Sequence, residues 1–308
     1  MDKMKINFIA LSLIATLALT GCGSGVKGKI YLSSGRFGEY GEPGEKRLGT
    51  CVYQNGRVKK LYRYQTFPKP TRDGVKLIAN TIDPDNIIKM VDLKTGKTRD
   101  LKFPHSASGF SWFPDNKKIA CSGGTTLNRF DYIANIYIMD LETMQEEQIT
   151  FYKDVNRRIF DIDVSPDGKY ILYSIKNAEK NDYGTSVRII NLKTKEDEAL
   201  PFSATTFDWS PDSKTIVLYG IYSYKGEKEY GPRTIIYDVT TKEYTKLPVS
   251  TEDLGEAYYT FSPDGSKIAY VRHEKNGRHT MWTMNADGTN RKKILDDGYQ
   301  LSNLTWTK

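Results

Sequence analysis

The chain has 308 residues, of which 38% are apolar and 27% charged, and its formal net charge is +7. That balance excludes a polytopic membrane protein, a collagen-like chain and wholesale disorder. Three Cys and three His are too few for a disulfide framework and leave little for histidine-based chemistry, while 21 Tyr favour strands, where a flat ring fits a pleated, half-buried surface.

The first element is an address. Lys3 and Lys5 precede an uncharged stretch from Ile6 to Thr20. That stretch is too short to span a bilayer, which takes about 20 apolar residues. A charged start, a short apolar run and small residues where it stops read as a secretory signal. The run ends Leu19-Thr20-Gly21-Cys22, which resembles the lipobox of bacterial lipoproteins. The resemblance implies cleavage before Cys22, acylation of its thiol and anchoring by lipid chains, each buried CH₂ contributing about 0.8 kcal/mol. Residues 1–21 are therefore expected to be a signal peptide, 22–28 a flexible tether and 29–308 a single folded domain. Gly23 in place of Asp after the lipidated Cys implies, under the sorting rule of enteric bacteria, the outer membrane. Outside the cytoplasm nucleic acid is not an expected partner; the positive charge reads first as a solvated basic surface, with anionic envelope polymers or lipid headgroups as the alternative. Gly23, Gly25 and Gly28 match GxGxxG, but the match follows no strand and opens no helix, so no dinucleotide is expected.

A repeat fills the rest. Phe110-Ser-Trp-Phe-Pro-Asp115, Ile162-Asp-Val-Ser-Pro-Asp167, Phe207-Asp-Trp-Ser-Pro-Asp212 and Tyr259-Thr-Phe-Ser-Pro-Asp264 share one pattern, and Pro70-Thr-Arg-Asp73 is a degenerate copy. The Asp residues are spaced 42, 52, 45 and 52 apart. Pro presets φ at the second turn position and Asp accepts a local backbone hydrogen bond, so each copy reads as a hairpin. A second turn follows in each unit, at Asp92, Asp140, Asn191, Asp238 and Asn285. Each unit is therefore four antiparallel strands, and units of about 45 residues are propeller blades. Residues 302–308 look like an innermost strand without its turn, whereas the N-terminal end supplies strands near 29–33, 51–54 and 58–64. Together they complete one shared blade. The expected fold is all-β, a six-bladed β-propeller closed by the C-terminal strand joining the N-terminal strands, which removes an open sheet edge.

The Ser-Pro-Asp-Gly repeats resemble the WD-like repeats of the TolB C-terminal propeller, which are shared with the propellers of prolyl oligopeptidases and dipeptidyl peptidases. The resemblance covers about residues 65–306 and is specific for architecture, not for function. The chain is expected to lack both the TolB N-terminal domain and the peptidase hydrolase domain.

No catalytic residue, metal site or cofactor is expected. The repeated Asp residues are explained by their turns. His273 and His279 lie on a hairpin and do not form the HExxH helix of a zinc protease. Cys51 and Cys121 fall in separate blades and read as packing residues. The asymmetry lies in loop length. The first-to-second and third-to-fourth turns share one rim and are short. The second-to-third connections share the other rim and are longer, around 34–50, 123–135, 176–186, 220–233 and 274–278. They carry Arg36, Tyr40, Arg129, Tyr132, Tyr183, Tyr222, Tyr224 and Arg233, residue types enriched at binding hot spots. The expected function is a lipid-anchored envelope module that binds a protein or peptide on this rim. The alternative is a carbohydrate-active enzyme, a polysaccharide lyase or glycoside hydrolase, with loop carboxylates such as Asp131, Asp182 and Glu229 converging at the mouth.

Overall fold

The computed structural model describes residues 26–35, 49–63, 65–81, 88–104, 106–126, 132–154, 157–176, 185–221, 232–247, 255–296 and 300–308. Cys22 and the segment before it lie outside the described residues.

Among the described residues every element is a strand. The chain opens with β1 (Lys29–Gly35), β2 (Gly49–Gln54) and β3 (Arg57–Arg63). Blade 2 follows as β4 (Gln65–Pro70), β5 (Lys76–Thr81), β6 (Ile88–Asp92) and β7 (Thr98–Leu101). Blade 3 is β8 (Ser106–Trp112), β9 (Lys118–Thr126), β10 (Tyr132–Asp140) and β11 (Glu146–Gln148). Blade 4 is β12 (Arg158–Val164), β13 (Tyr170–Lys176), β14 (Ser186–Asn191) and β15 (Asp197–Ser203). Blade 5 is β16 (Thr206–Trp209), β17 (Thr215–Ile221), β18 (Pro232–Asp238) and β19 (Tyr244–Leu247). Blade 6 is β20 (Gly255–Phe261), β21 (Lys267–His273), β22 (His279–Asn285) and β23 (Lys292–Leu295). The last strand, β24 (Gln300–Thr307), then pairs antiparallel with β1, from Lys29↔Thr307 to Gly35↔Gln300, so blade 1 is β24-β1-β2-β3. The innermost strands β4, β8, β12, β16, β20 and β24 pack side by side, with β24 against both β20 and β4, and the ring closes. This is the six-bladed propeller with a shared terminal blade that the repeat spacing predicts.

The Ser-Pro-Asp turns work as their residue types require. In blade 4 the Ser165 hydroxyl donates to Asp167 Oδ1 at 2.7 Å and accepts the Tyr170 amide at 2.9 Å, while the Lys169 amide donates to Asp167 Oδ1 at 3.1 Å. Ser210–Asp212 and Ser262–Asp264 repeat this arrangement, and Thr71–Asp73 copies it in the degenerate unit. Blade 3 has Phe113 in place of the Ser, and there Asp115 takes two amides itself, from Lys117 and Lys118. In the second turns Asp92, Asp140, Asn191 and Asp238 each accept two amides from their own turn. Asn191 performs this as well as Asp, because the turn needs an acceptor oxygen and no ionisable proton.

The seams between blades repeat as well. The Val164 amide donates to Ser111 Oγ at 2.9 Å, the Phe261 amide to Asp208 Oδ2 at 2.7 Å, and the Trp306 amide to Thr260 Oγ1 at 3.1 Å. In each case a polar side chain on one innermost strand receives an amide from the next blade. Trp112 Nε1 donates to the Lys69 carbonyl and Trp306 Nε1 to the Lys27 carbonyl, at 2.8 and 2.7 Å. Apolar side chains fill the seams around these bonds. The cluster at the closing seam joins Ile30, Leu32 and Tyr53 to Val271, Met281, Leu304 and Trp306. Val26, at the end of the segment read as a tether, is buried in that cluster. Glu256 is also buried between blades, held by Arg272 at 3.1 Å, Arg291 at 2.9 Å and the Tyr259 hydroxyl at 2.7 Å. Pairing of this kind is what lets a carboxylate sit out of water. Cys51 and Cys121 are buried, in blades 1 and 3.

Candidate functional site

The ring leaves an axial channel, and the six innermost strands form its wall. Each runs from the rim of the second-to-third connections towards the rim of the Ser-Pro-Asp turns. Near its entry each strand carries a residue at one repeated position, six before the turn Asp: Phe67, Gly109, Asp161, Thr206 and Tyr258, with Asn303 equivalent in β24. The ladders of β4, β8, β12 and β20 slip there through a bulge. Phe67, Gly109, Tyr258 and Asn303 adopt φ of 54°, 57°, 55° and 54°. For a non-glycine residue that left-handed conformation is strained, and strain of this kind concentrates at functional sites.

The bulges open the channel into a mouth of about 450 Å³, lined by Phe67, Lys69, Phe160, Asp161, Tyr258 and Asn303 among others. That volume falls in the range of about 300–1,000 Å³ typical of ligand sites. Phe67 is 54% exposed and Phe160 50%, so two aromatic rings stand in solvent at the mouth although the core lies next to them. Below the collar the floor is charged. Lys69 Nζ lies 3.6 Å from Asp161 Oδ1. Under it a narrow chamber of about 60 Å³ is lined by Arg72, Ser111, Asp163, Asp208, Thr260 and Thr305 together with neighbouring apolar residues. Ser111 Oγ donates to Asp163 Oδ1 at 2.7 Å. Arg72 lies at the far end and its Nη2 reaches the Val164 carbonyl, 3.5 Å away in blade 4. The channel is therefore wide at one rim and constricted at the other.

Electrostatics follow from burial and proximity. Burial pushes the Asp208 carboxyl up to about 7, Asp163 adds to the rise, and Arg72 and the Phe261 amide oppose it. Asp161 is raised by burial and by Asp163, against the pull of Lys69. Burial disfavours the Lys69 ammonium, but Asp161, Asp163 and Asp208 around it outweigh that and hold it above its ordinary value. The floor thus holds three carboxylates from two neighbouring blades against one Lys and one Arg.

His273 and His279 do pair across their hairpin. Their rings stack face to face, 4.1 Å between centroids and 15° apart, so they do not converge on a common point. His279 Nδ1 accepts the Leu301 amide of the closing blade at 3.1 Å. Burial, then the neighbouring His279, lowers His273 to about 4. Among the described residues no group of three His, Cys, Asp or Glu is placed to hold a metal ion.

Of the residues expected on the binding rim, Arg36, Tyr40, Arg129, Tyr183, Tyr222 and Tyr224 lie outside the described residues, as do Asp131, Asp182 and Glu229. Tyr132 and Arg233, expected in loops, are in strands. Tyr132 opens β10 opposite Thr126, and Arg233 pairs with Gly220 in β18. Their strand ends lie on the channel-mouth rim; their side chains lie outside the description. β9 and β10 extend further than the alternation of their residues suggests, since Gly123 and Gly124 stay in register with Asn135 and Ala134. The connection at 274–278 is a tight turn, with the Glu274 amide bonded to the Arg278 carbonyl at 2.9 Å. The channel residues themselves were missed in the sequence. The signal that marks them is the register, six and four residues before each turn Asp.

No protein-family profile matches this chain, and no curated protein matches it. Solved structures do. A TolB from Acinetobacter baumannii is similar over 91% of this chain and 66% of its own, with 20% identity and a TM-score of 0.71. A TolB described as putative, from Agrobacterium tumefaciens, is similar over 88% of this chain and 90% of its own, with 14% identity and a TM-score of 0.62. An oligogalacturonate lyase solved in complex with manganese is similar over 87% and 73%, with 15% identity and a TM-score of 0.52. The chain spans just under two thirds of the length of the Acinetobacter protein. At these identities the likeness is one of fold: a TolB-like six-bladed β-propeller.

Proposed function

We propose that this chain is a lipid-anchored envelope protein, acylated at Cys22, whose propeller binds a protein or peptide partner at the channel mouth without catalysing a reaction. The observation that carries the reading is the mouth itself. Exposed aromatic rings at Phe67 and Phe160 flank a cavity of ligand size, and three wall residues with side chains, Phe67, Tyr258 and Asn303, take the left-handed backbone. The charged residues beneath bond largely to other blades, an arrangement that suits a shaped binding floor better than a reacting pair. Tyr183, Tyr222, Tyr224, Arg36, Arg129 and Tyr40 belong to the connections between strands that end on this rim, Tyr132 and Arg233 to the strand ends themselves, and they enlarge the binding surface in this reading.

The test is capture of a partner from the envelope by the lipidated protein. Replacing Tyr222, Tyr224 and Arg233 with Ala is expected to abolish capture with little change in melting temperature. Loss of capture through Lys117, Lys169 and Lys267 on the opposite rim, with the first set silent, assigns the wrong face. Cleavage of a charged polysaccharide by the purified protein, lost in Asp208→Asn, refutes the non-enzymatic reading. A Cys22→Ser protein that stays mature in size and membrane-bound refutes acylation.

A further inference from the structure

The geometry points to a fixed orientation on the bilayer: we propose that the rim of Ser-Pro-Asp turns docks on anionic phospholipid headgroups and that the channel mouth faces away from the membrane. The inference rests on the lipid anchor at Cys22 proposed above.

The first argument is where the chain enters the ring. Lys29 pairs with Thr307 and Gly35 with Gln300, so β1 starts at the end where β24 finishes, on the turn rim. The entering segment is fixed there. Val26 is 8% exposed and packed in the closing cluster. The Lys27 carbonyl accepts Trp306 Nε1 at 2.7 Å. Gly28 has φ +89°, and a Cβ on it would lie 2.2 Å from the Thr307 carbonyl oxygen, so only glycine permits the approach. Lys27, Gly28, Pro263, Asp264 and Lys308 border one cavity, which places the entry point beside a Ser-Pro-Asp turn. Val26 is only four residue steps from Cys22. Fully extended they reach about 14 Å. The blade is taller than that, since seven strand residues rise about 23 Å. An anchor at Cys22 therefore brings the turn rim to the headgroups and holds the mouth above them.

The second argument is charge. Each turn Asp is followed two or three residues later by Lys: Lys76, Lys117, Lys169, Lys214 and Lys267, with Lys118 beside Lys117. The Asp carboxylates are held by their own turn and stay charged, so the rim carries both signs; Lys169 pairs with Asp167 at 3.0 Å and Lys117 with Glu142 at 3.5 Å, and these two, with Lys118 and Lys214, are exposed to solvent. Exposed Lys27, Arg57, Lys94 and Lys193 stand on the same rim. Short turns leave these ammonium groups accessible to headgroup phosphates, and that attraction is screened by salt.

The experiment uses the lipidated protein reconstituted in vesicles of phosphatidylethanolamine and phosphatidylglycerol carrying a headgroup-attached quencher. Cys51 and Cys121 are buried, so a fluorophore reports an introduced thiol, Asn116→Cys on the turn rim or Lys275→Cys on the 274–278 turn of the mouth rim. The expected result is quenching several-fold stronger at 116 than at 275. Vesicle binding by the soluble chain from residue 23 onward is expected to fall several-fold in Lys94→Glu/Lys117→Glu/Lys214→Glu and in high salt. Equal quenching at the two sites, or stronger quenching at 275, in protein whose mass shows the acyl chains, overturns the orientation and leaves the anchor standing. Absence of acyl mass at Cys22 overturns the anchor and the orientation with it.

Discussion

The two rims of the ring are built from the same strands and treat their polar groups in opposite ways. On the turn rim the side chains of Ser165, Asp167, Ser262 and Asp264 close hydrogen bonds within their own hairpins. Left-handed positions there fall on Gly168 and Gly265, with φ of 72° each, and equally on Met144, Lys195, Ser213 and Lys242, with φ of 59–62°. On the mouth rim the left-handed positions include the aromatic residues Phe67 and Tyr258, and Phe67 and Phe160 leave large apolar faces in water. One rim satisfies itself and fixes the register of the blades. The other leaves apolar surface exposed that a partner would cover. A propeller can separate the two roles because its blades transmit packing sideways around the ring and not from rim to rim.

The sharpest break in that contrast is at the seam. Trp306→Ala removes a ring that is 6% exposed, in the closing cluster, together with the bond to Lys27. It is expected to cost about 3–5 kcal/mol, measured by urea unfolding. A loss below 1 kcal/mol would show that closure is dispensable.

The channel floor gives a pH signature. Asp208 holds its proton to about 7 in the folded state, well above the value near 4 of an unfolded aspartate. The folded protein binds the extra proton between those limits, so stability falls as pH rises from about 4 to about 7 and is level above. Asp208→Asn keeps an acceptor for the Phe261 amide and is expected to flatten that limb of the stability profile. An unchanged profile would mean that Asp208 ionises freely.

A turn carboxylate behaves with the opposite sign. Hydrogen bonds from the Ser262 hydroxyl, the Ser266 amide and the Ser266 hydroxyl lower Asp264 to about 2. Its contribution is present above about pH 4 and disappears as pH falls through about 2. Asp264→Ala is expected to cost about 1 kcal/mol at neutral pH, and the difference from the parent protein should shrink on acidification.

The smallest effect, and the most telling, runs the other way. Gly109 occupies in blade 3 the conformation that Phe67 takes in blade 2. Phe67→Gly relieves strain and is expected to change stability by less than about 1 kcal/mol, towards the more stable side, while weakening partner capture. A variant less stable than the parent with capture intact would make Phe67 a structural residue.

The repeat made the blades legible. Pro and Asp at fixed spacing act through local hydrogen bonds, which depend only on neighbours in the chain, so Asp115, Asp167, Asp212 and Asp264 located the hairpins and the unpaired 302–308 segment located the closure. The lipobox-like end at Cys22 is local in the same sense, and it remains an expectation from the sequence. The channel is different in kind. Lys69 and Asp161 are 92 residues apart and meet because β4 and β12 face one axis, with blade 3 between them. The proton on Asp208 depends on Asp163 in one blade and Arg72 in another. Single-strand alternation marks such residues only as inward-facing, whether they are to become a salt bridge, a seam acceptor or a binding floor. Sequence fixes what a residue does within its own turn. The charge, burial and strain of the mouth come from six strands brought to one axis, and only the closed ring decides them.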